Sequence, residues 1–287
     1  MRPLTEFGAA RAMAGLLLAV VVGACDALGG ASLGPGPTPS PTPVPPSAPP
    51  VVLTIYGAAS LKGVLDAAQA AYEAANPGTT IVISTDSSAA LETKIEQGAP
   101  ADVFLSADTS NPKKLVDGAF ADGAAIVFAG NELAIIVPLD NPAGIQAPTY
   151  LARAGVRIIA AGDEVPIARY AAQLIANLAA DPSYPVDFAT GCAANVVSKE
   201  ENVKAVVAKI ELGEGDAAIV YKTDAIASNK VETIDIPEGA NVQASYAGVV
   251  VAASTQLPAA RAFLAWLSGP EGQSILDGFG FTGPPGE

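Results

Sequence analysis

Histidine is absent from the 287 residues. That excludes a Ser-His-Asp or Cys-His triad and any His-ligated metal centre. Cysteine is nearly absent: Cys25 and Cys192 are the only two, too few for a disulfide framework or a Cys-based zinc site. Positive charge is scarce, with 15 Lys and Arg against 29 Asp and Glu and a net charge of −14. A chain without basic stripes is a poor partner for nucleic acid, whose binding depends on neutralising phosphates. Apolar residues are abundant at 50%, ample for a core.

The N-terminal fifty residues read as an address and a tether. Arg2 and Arg11 precede an uncharged stretch, Ala12 to Ala24, that contains Leu16-Leu17-Leu18-Ala19-Val20-Val21-Val22. It is shorter than the ~20 residues a helix needs to cross a bilayer, and it has the pattern of a secretory signal. Val22-Gly23-Ala24-Cys25 resembles a bacterial lipobox, in which a Cys after small residues is lipidated and becomes the first residue. The other reading is an ordinary signal peptide with an incidental Cys. Residues 1–24 are thus expected to be a lipoprotein signal peptide, with 25–50 the anchor Cys and a linker. Lipidation would leave Cys192 as an unpaired, packed residue. Loss of residues 1–24 removes Arg2, Arg11 and Glu6, making the chain one unit more negative. Nine of the seventeen residues from Gly34 to Pro50 are proline, which implies an extended spacer reaching on the order of 50 Å.

From Val51 onward, short β-rich runs alternate with helical ones. Strands are expected at 51–56, 80–84, 103–106, 133–137, 156–160, 217–221, 231–236 and 245–251. The first, Val51-Val52-Leu53-Thr54-Ile55-Tyr56, is a continuous apolar run of the kind buried on both faces. Helices are expected from about Leu61, with Leu61, Val64, Leu65, Ala68 and Tyr72 on one face, and over 89–97, 167–179, 203–212, 257–267 and 270–277. The alternation implies an α/β fold with mostly parallel sheets, in which ligands bind beyond the carboxyl ends of strands.

Polar residues at strand-to-helix junctions are therefore the candidate site. Ser60 follows the first strand, and Ser87 and Ser88 follow the second. Each is first a helix N-cap, worth ~1 kcal/mol. A helix start also presents unpaired N–H groups and a positive dipole end, so a hydroxyl there marks a potential anion site. Pro166 suits a first helical position. Ser198 and Glu201 fit a Ser-x-x-Glu capping box ahead of Val203. Tyr221 ends a strand, where a half-buried core aromatic is the ordinary role.

Three segments in order, Gly57-Ala58-Ala59-Ser60-Leu61, Asp86-Ser87-Ser88-Ala89-Ala90-Leu91 and Gly98-Ala99-Pro100-Ala101-Asp102-Val103-Phe104-Leu105-Ser106-Ala107-Asp108, resemble the periplasmic molybdate-binding proteins of ABC importers. The likeness continues through Val165-Pro166 and Ala218-Ile219-Val220-Tyr221-Lys222-Thr223-Asp224-Ala225 to Gly280-Phe281, covering residues 51–282. It implies a type II periplasmic-binding-protein fold: two α/β lobes joined by two crossover strands, with the ligand in the cleft. Lobe 1 is expected from 51–132 plus 253–287 and lobe 2 from 133–252, hinged near Leu133–Val137 and Ser245–Val251.

The resemblance assigns molybdate binding to Ser60, Ser88, Ile167, Val203 and Tyr221: hydroxyls and nearby backbone N–H from the serines, backbone N–H from Ile167 and Val203, and the Tyr221 phenol. The family often has Ala-Gly where this chain has Ile167-Ala168, so the pocket wall there is altered while the backbone donor survives. None of the five is charged. The expected protein is a lipid-anchored, extracytoplasmic, monomeric receptor on the cell membrane that carries molybdate or tungstate to an ABC permease and its ATPase. It needs no cofactor, and no metal beyond the bound oxyanion. The same fold around a sulfate-like oxyanion or a polar solute is the alternative. A serine hydrolase is more remote: its base would have to be a Lys, and Lys62 lies two residues from Ser60 instead of three. Cys25→Ser is expected to move the protein from the membrane fraction to the soluble fraction and to abolish lipid labelling; persistent labelling would exclude the anchor.

Overall fold

The computed structural model describes residues 50–285. The expected leader, Cys25 and nearly all of the Pro-rich segment lie outside the described residues.

Two five-stranded sheets carry the fold. β1 (Val51–Ala58) leads through a 3-10 turn, Ala59–Leu61, into α1 (Lys62–Ala75). β2 (Thr79–Asp86), α2 (Ser88–Glu96), β3 (Val103–Ser106), α3 (Ser110–Asp117) and β4 (Ile126–Asn131) follow. The second sheet begins with β5 (Leu133–Pro138) and continues with β6 (Ile158–Ala161), α4 (Pro166–Ala179), α5 (Phe188–Ala194) and β7 (Val196–Glu200). α6 (Val203–Glu211), β8 (Ala217–Tyr221), α7 (Lys222–Ile226) and β9 (Val231–Ile234) complete it. β10 (Ala244–Val250), α8 (Leu257–Ser268) and α9 (Pro270–Gly278) return to the first sheet.

Strand order is β2-β1-β3-β10-β4 in the first sheet and β7-β6-β8-β5-β9 in the second. β1 runs parallel to β2 and β3, and β6 parallel to β7 and β8. The remaining pairings, β10 with β3 and β4 and β5 with β8 and β9, are antiparallel. The sheets are therefore mixed: in each, four strands run in one sense and a single strand, β10 in the first and β5 in the second, is inserted against them.

The crossings also differ from the expected hinges. The chain leaves the first sheet at Glu132, between β4 and β5, and returns between β9 and β10. The expected crossover strands lie inside sheets: β5 wholly in the second, β10 wholly in the first. Continuous apolar runs mark them as buried, and burial does not reveal to which sheet a strand belongs.

Helix faces follow the apolar spacing. Leu61, Val64, Leu65, Ala68 and Tyr72 are all buried. Tyr72 packs edge-on against Phe263 and Trp266 of α8, each with ring centroids 5.1 Å away. Such aromatic pairs add roughly 0.5–1.5 kcal/mol beyond area burial. α9 crosses α8 at Gly272, where a Cβ would stand 2.3 Å from the Leu267 carbonyl oxygen. Gly272→Ala is expected to cost ~1–3 kcal/mol and lower Tm by several degrees in a thermal melt; an unchanged Tm would show that the crossing relaxes freely.

Candidate functional site

The six strands that pair in parallel all end at one cleft. Ala58–Ser60 follows β1, Ser87–Ser88 follows β2 and Ala107 follows β3. From the other lobe come Val165–Pro166 after β6, Asn202–Val203 after β7 and Tyr221 at the end of β8. Residues from all six endings border one small cavity of ≈ 10 Å3, about the room one water-sized sphere needs.

Three helices begin at this cavity. Ser87 caps α2, its Oγ accepting from the Ala90 N–H at 3.3 Å. Asn202 caps α6, its Oδ1 accepting from the Ala205 N–H at 3.1 Å. α4 starts with Pro166 and has no side-chain cap. First-turn N–H groups have no intrahelical acceptor, so those not capped stay available, each at a positive dipole end.

The hydroxyls are oriented by their surroundings. Ser88 Oγ accepts from the Ala107 N–H at 3.0 Å, which leaves its own hydrogen to donate elsewhere. Ser60 is 6% exposed and sits in the 3-10 turn; its Oγ is 3.0 Å from the Tyr246 hydroxyl. Asn131 Nδ2 donates to the Tyr246 oxygen at 3.4 Å; a Tyr246 hydrogen directed at Ser60 would leave the Ser60 hydrogen free to face the cavity. Asn131 Nδ2 also donates to Thr223 Oγ1 at 2.9 Å, tying the two sheets together beside the cleft. At β1, Gly57 makes room for α1: a Cβ there would lie 2.3 Å from Leu65 Cδ1.

Tyr221 is fully buried, and burial pushes its phenol well above the usual tyrosine range. It keeps its proton and donates to the Ala107 carbonyl across the cleft at 3.4 Å, a long contact. No charged side chain borders the cavity. Of the two cations adjacent in the chain to lining residues, Lys204 pairs with buried Asp224 and Lys222 with Glu132, each at 2.7 Å. Burial raises the Asp224 carboxyl and Lys204 opposes that shift.

Four of the five expected residues, Ser60, Ser88, Val203 and Tyr221, meet at this cavity. Ile167 does not border it: its side chain turns into an apolar groove on the second lobe with Ile159 and Ile175, and Val165 and Pro166 form the wall instead. The Ile167 N–H remains in the first turn of α4. Ser198 is not a helix cap. It lies in β7, its Oγ bonded to Glu200, and Asn202 takes the capping role. Ser60 caps no helix either. Asn202, Tyr246 and Asn131 were not anticipated. An Asn directly before the apolar run Val203-Lys204-Ala205-Val206-Val207 was the available signal for the first.

Among the described residues no group of three or more His, Cys, Asp or Glu is placed to hold a metal ion, and no helix is long and apolar enough to cross a membrane. Lys62, the one base in reach of Ser60 along the chain, is exposed and paired with Asp66 at 2.6 Å. The arrangement can surround a small anion with neutral donors, and it lacks a proton acceptor for nucleophilic chemistry.

The molybdate-binding protein ModA of Mycobacterium tuberculosis is 31% identical over 233 residues, 81% of this chain and 85% of that protein. ModA of Escherichia coli is 29% identical over 241 residues, 80% and 88% of the two chains. The periplasmic molybdate-binding protein of Azotobacter vinelandii matches with a TM-score of 0.69 at 23% identity, covering 81% of this chain and 99% of that one. The sulfate-binding protein SubI of M. tuberculosis matches with a TM-score of 0.72 at 22% identity, covering 80% and 86%. At those two identities the likeness speaks to the fold, which is the two-lobed fold of periplasmic binding proteins. A family model for bacterial extracellular solute-binding proteins matches residues 53–282, and the chain belongs to that family.

Proposed function

We propose that the protein binds molybdate through Ser60, Ser88, Ile167, Val203 and Tyr221 and delivers it to an ABC permease and its ATPase. It is a binding protein and not an enzyme. The observation that carries the ligand class is the convergence, at one uncharged cavity, of the starts of α2, α4 and α6 with the side chains of Ser60, Ser88 and Tyr221. At ≈ 10 Å3 the cavity has no room for an extended polar solute, and a tetrahedral oxyanion requires it to widen. The relatives named for molybdate supply the ion's identity. Tungstate, nearly isosteric, belongs to the same reading, as do tethering through Cys25 and action as a monomer.

Neutral donors suffice because hydrogen bonds to a charged acceptor are worth ~1.5–3 kcal/mol each, and a rigid cage loses no side-chain entropy in making them. The cage also selects. Hydrogen phosphate brings an O–H donor to a site that offers donors, leaving one pair unmatched. Sulfate is smaller and leaves donors stretched.

Isothermal titration of the full chain carrying Cys25→Ser tests this. Molybdate and tungstate are expected to bind and phosphate not; equal affinity for molybdate and phosphate would sink the donor-only cage. Ser60→Ala and Ser88→Ala are each expected to weaken molybdate binding by ~1–3 kcal/mol with the fold intact, and unchanged affinity in both would remove them from the site. Since the Tyr221 phenol is shifted upward, it keeps the proton that it would turn from the Ala107 carbonyl to the ion, and affinity is expected to stay flat from about pH 7 to about pH 9. A loss over that interval would show that Tyr221 ionises in it.

A further inference from the structure

We infer that Arg169 and Asp108 form a latch that holds the two lobes closed over the ligand without touching it. This rests on the anion-receptor reading above and adds to it a pair of positioning residues.

Asp108 follows β3 in the first lobe, one residue after Ala107, whose N–H orients Ser88 and whose carbonyl receives Tyr221. Its side chain is 1% exposed. Its own lobe holds it in place: Ser106 Oγ donates at 2.8 Å, the Asn111 N–H at 3.0 Å, and Asn111 Nδ2 at 3.1 and 3.0 Å to the two carboxylate oxygens. The carboxylate is thus preset before any partner arrives. Among the described residues, the one cation paired with it comes from the other lobe. Arg169 Nη2 donates to Asp108 Oδ2 from the first turn of α4, two residues after Ile167.

The neighbouring residue repeats the crossing. Tyr170 Oη accepts from the Ser245 N–H of β10 at 3.3 Å. The start of α4, which walls the cavity with Val165 and Pro166, is therefore pinned to the first lobe at two consecutive residues.

Physics assigns the pair to closure. Separation of the lobes would return Asp108 and Arg169 to water, where each is solvated. Closure buries Asp108, and a buried carboxylate without its cation is strongly disfavoured. Arg169 is half exposed, which moderates the effect and leaves the pair open to salt. Breaking a hydrogen-bonded charge pair acts mainly on dissociation. The latch therefore slows release of the ion while leaving capture unchanged.

The test measures lobe separation and release in one chain. In a Cys25→Ser background, Val82→Cys and Val186→Cys place labels on exposed positions of the two lobes, and Cys192, 1% exposed, stays unlabelled. Distance distributions by electron-electron resonance, with and without molybdate, are compared for Arg169 and for Arg169→Gln. The closed population is expected to fall in Arg169→Gln. Molybdate release in stopped flow is expected to accelerate roughly five- to fiftyfold, with capture changed less than about twofold. Arg169→Lys is expected to recover part of the loss, and added salt to speed release from the parent but not from Arg169→Gln. Coincident distance distributions in both chains overturn the latch, whether or not molybdate binds. Failure of the parent to bind molybdate overturns the ligand assignment alone, because the closed populations without ligand still report on the pair. Arg169 is half exposed, so the variant is expected to melt as the parent does without ligand; a lower Tm accompanied by unchanged release would make the pair merely structural.

Discussion

The structure depends on what happens where a parallel strand hands over to a helix. The first N–H groups of the helix have no acceptor within it, and an apolar cleft offers them no water. Here such handovers face each other from two lobes, so unpaired donors accumulate around one cavity. An oxyanion satisfies them together. Each helix start contributes ~0.3–2 kcal/mol of favourable dipole energy to a nearby anion, and no single start would outweigh the cost of drying a dianion. Convergence of several is therefore the requirement, and two lobes are the means.

That requirement explains the mixed sheets. A purely parallel sheet needs a crossover helix for every strand, and every strand then ends at the same edge. β10 and β5 run the other way, each beside its parallel trio, and the crossings at Glu132 and between β9 and β10 lie next to them. The trios are left free to aim their carboxyl ends at the cleft. The net charge of −14 does not oppose local anion binding, since screening acts over ~8 Å at physiological salt while the cavity is bordered by neutral donors. The charged pairs close by, Lys204 with Asp224 and Arg169 with Asp108, are internally neutral.

Local signals made much of this readable. β1, β3 and β8 are dense apolar runs, and α1, α4 and α6 carry their buried residues at helical spacing. Ser88 and Val203 stand at helix starts because of that spacing. What stayed hidden was either weakly patterned or far apart in the chain. β7 alternates between half-buried and exposed residues, so it has no apolar run to detect. Its Ser198, with the following Glu201, imitates a capping box and hides the cap at Asn202, although the expected helix over 203–212 starts where α6 does. Tyr246 meets Ser60 across 186 residues, and Arg169 meets Asp108 across 61; nothing in local composition announces either contact. Ile167 stands at the start of α4, where the resemblance places a backbone donor; its side chain lines a different cavity, so only the N–H is left to serve there.

The most direct test of the central claim is a crystal structure of the protein with molybdate bound. The account predicts the ion in the cavity between the lobes, its oxygens within hydrogen-bond distance of the Ser60 and Ser88 hydroxyls and the N–H groups at the starts of α4 and α6, with Lys204 still on Asp224 and Arg169 still on Asp108. An ion gripped by Lys204 or Arg169, or seated elsewhere with this cavity unfilled, would contradict it.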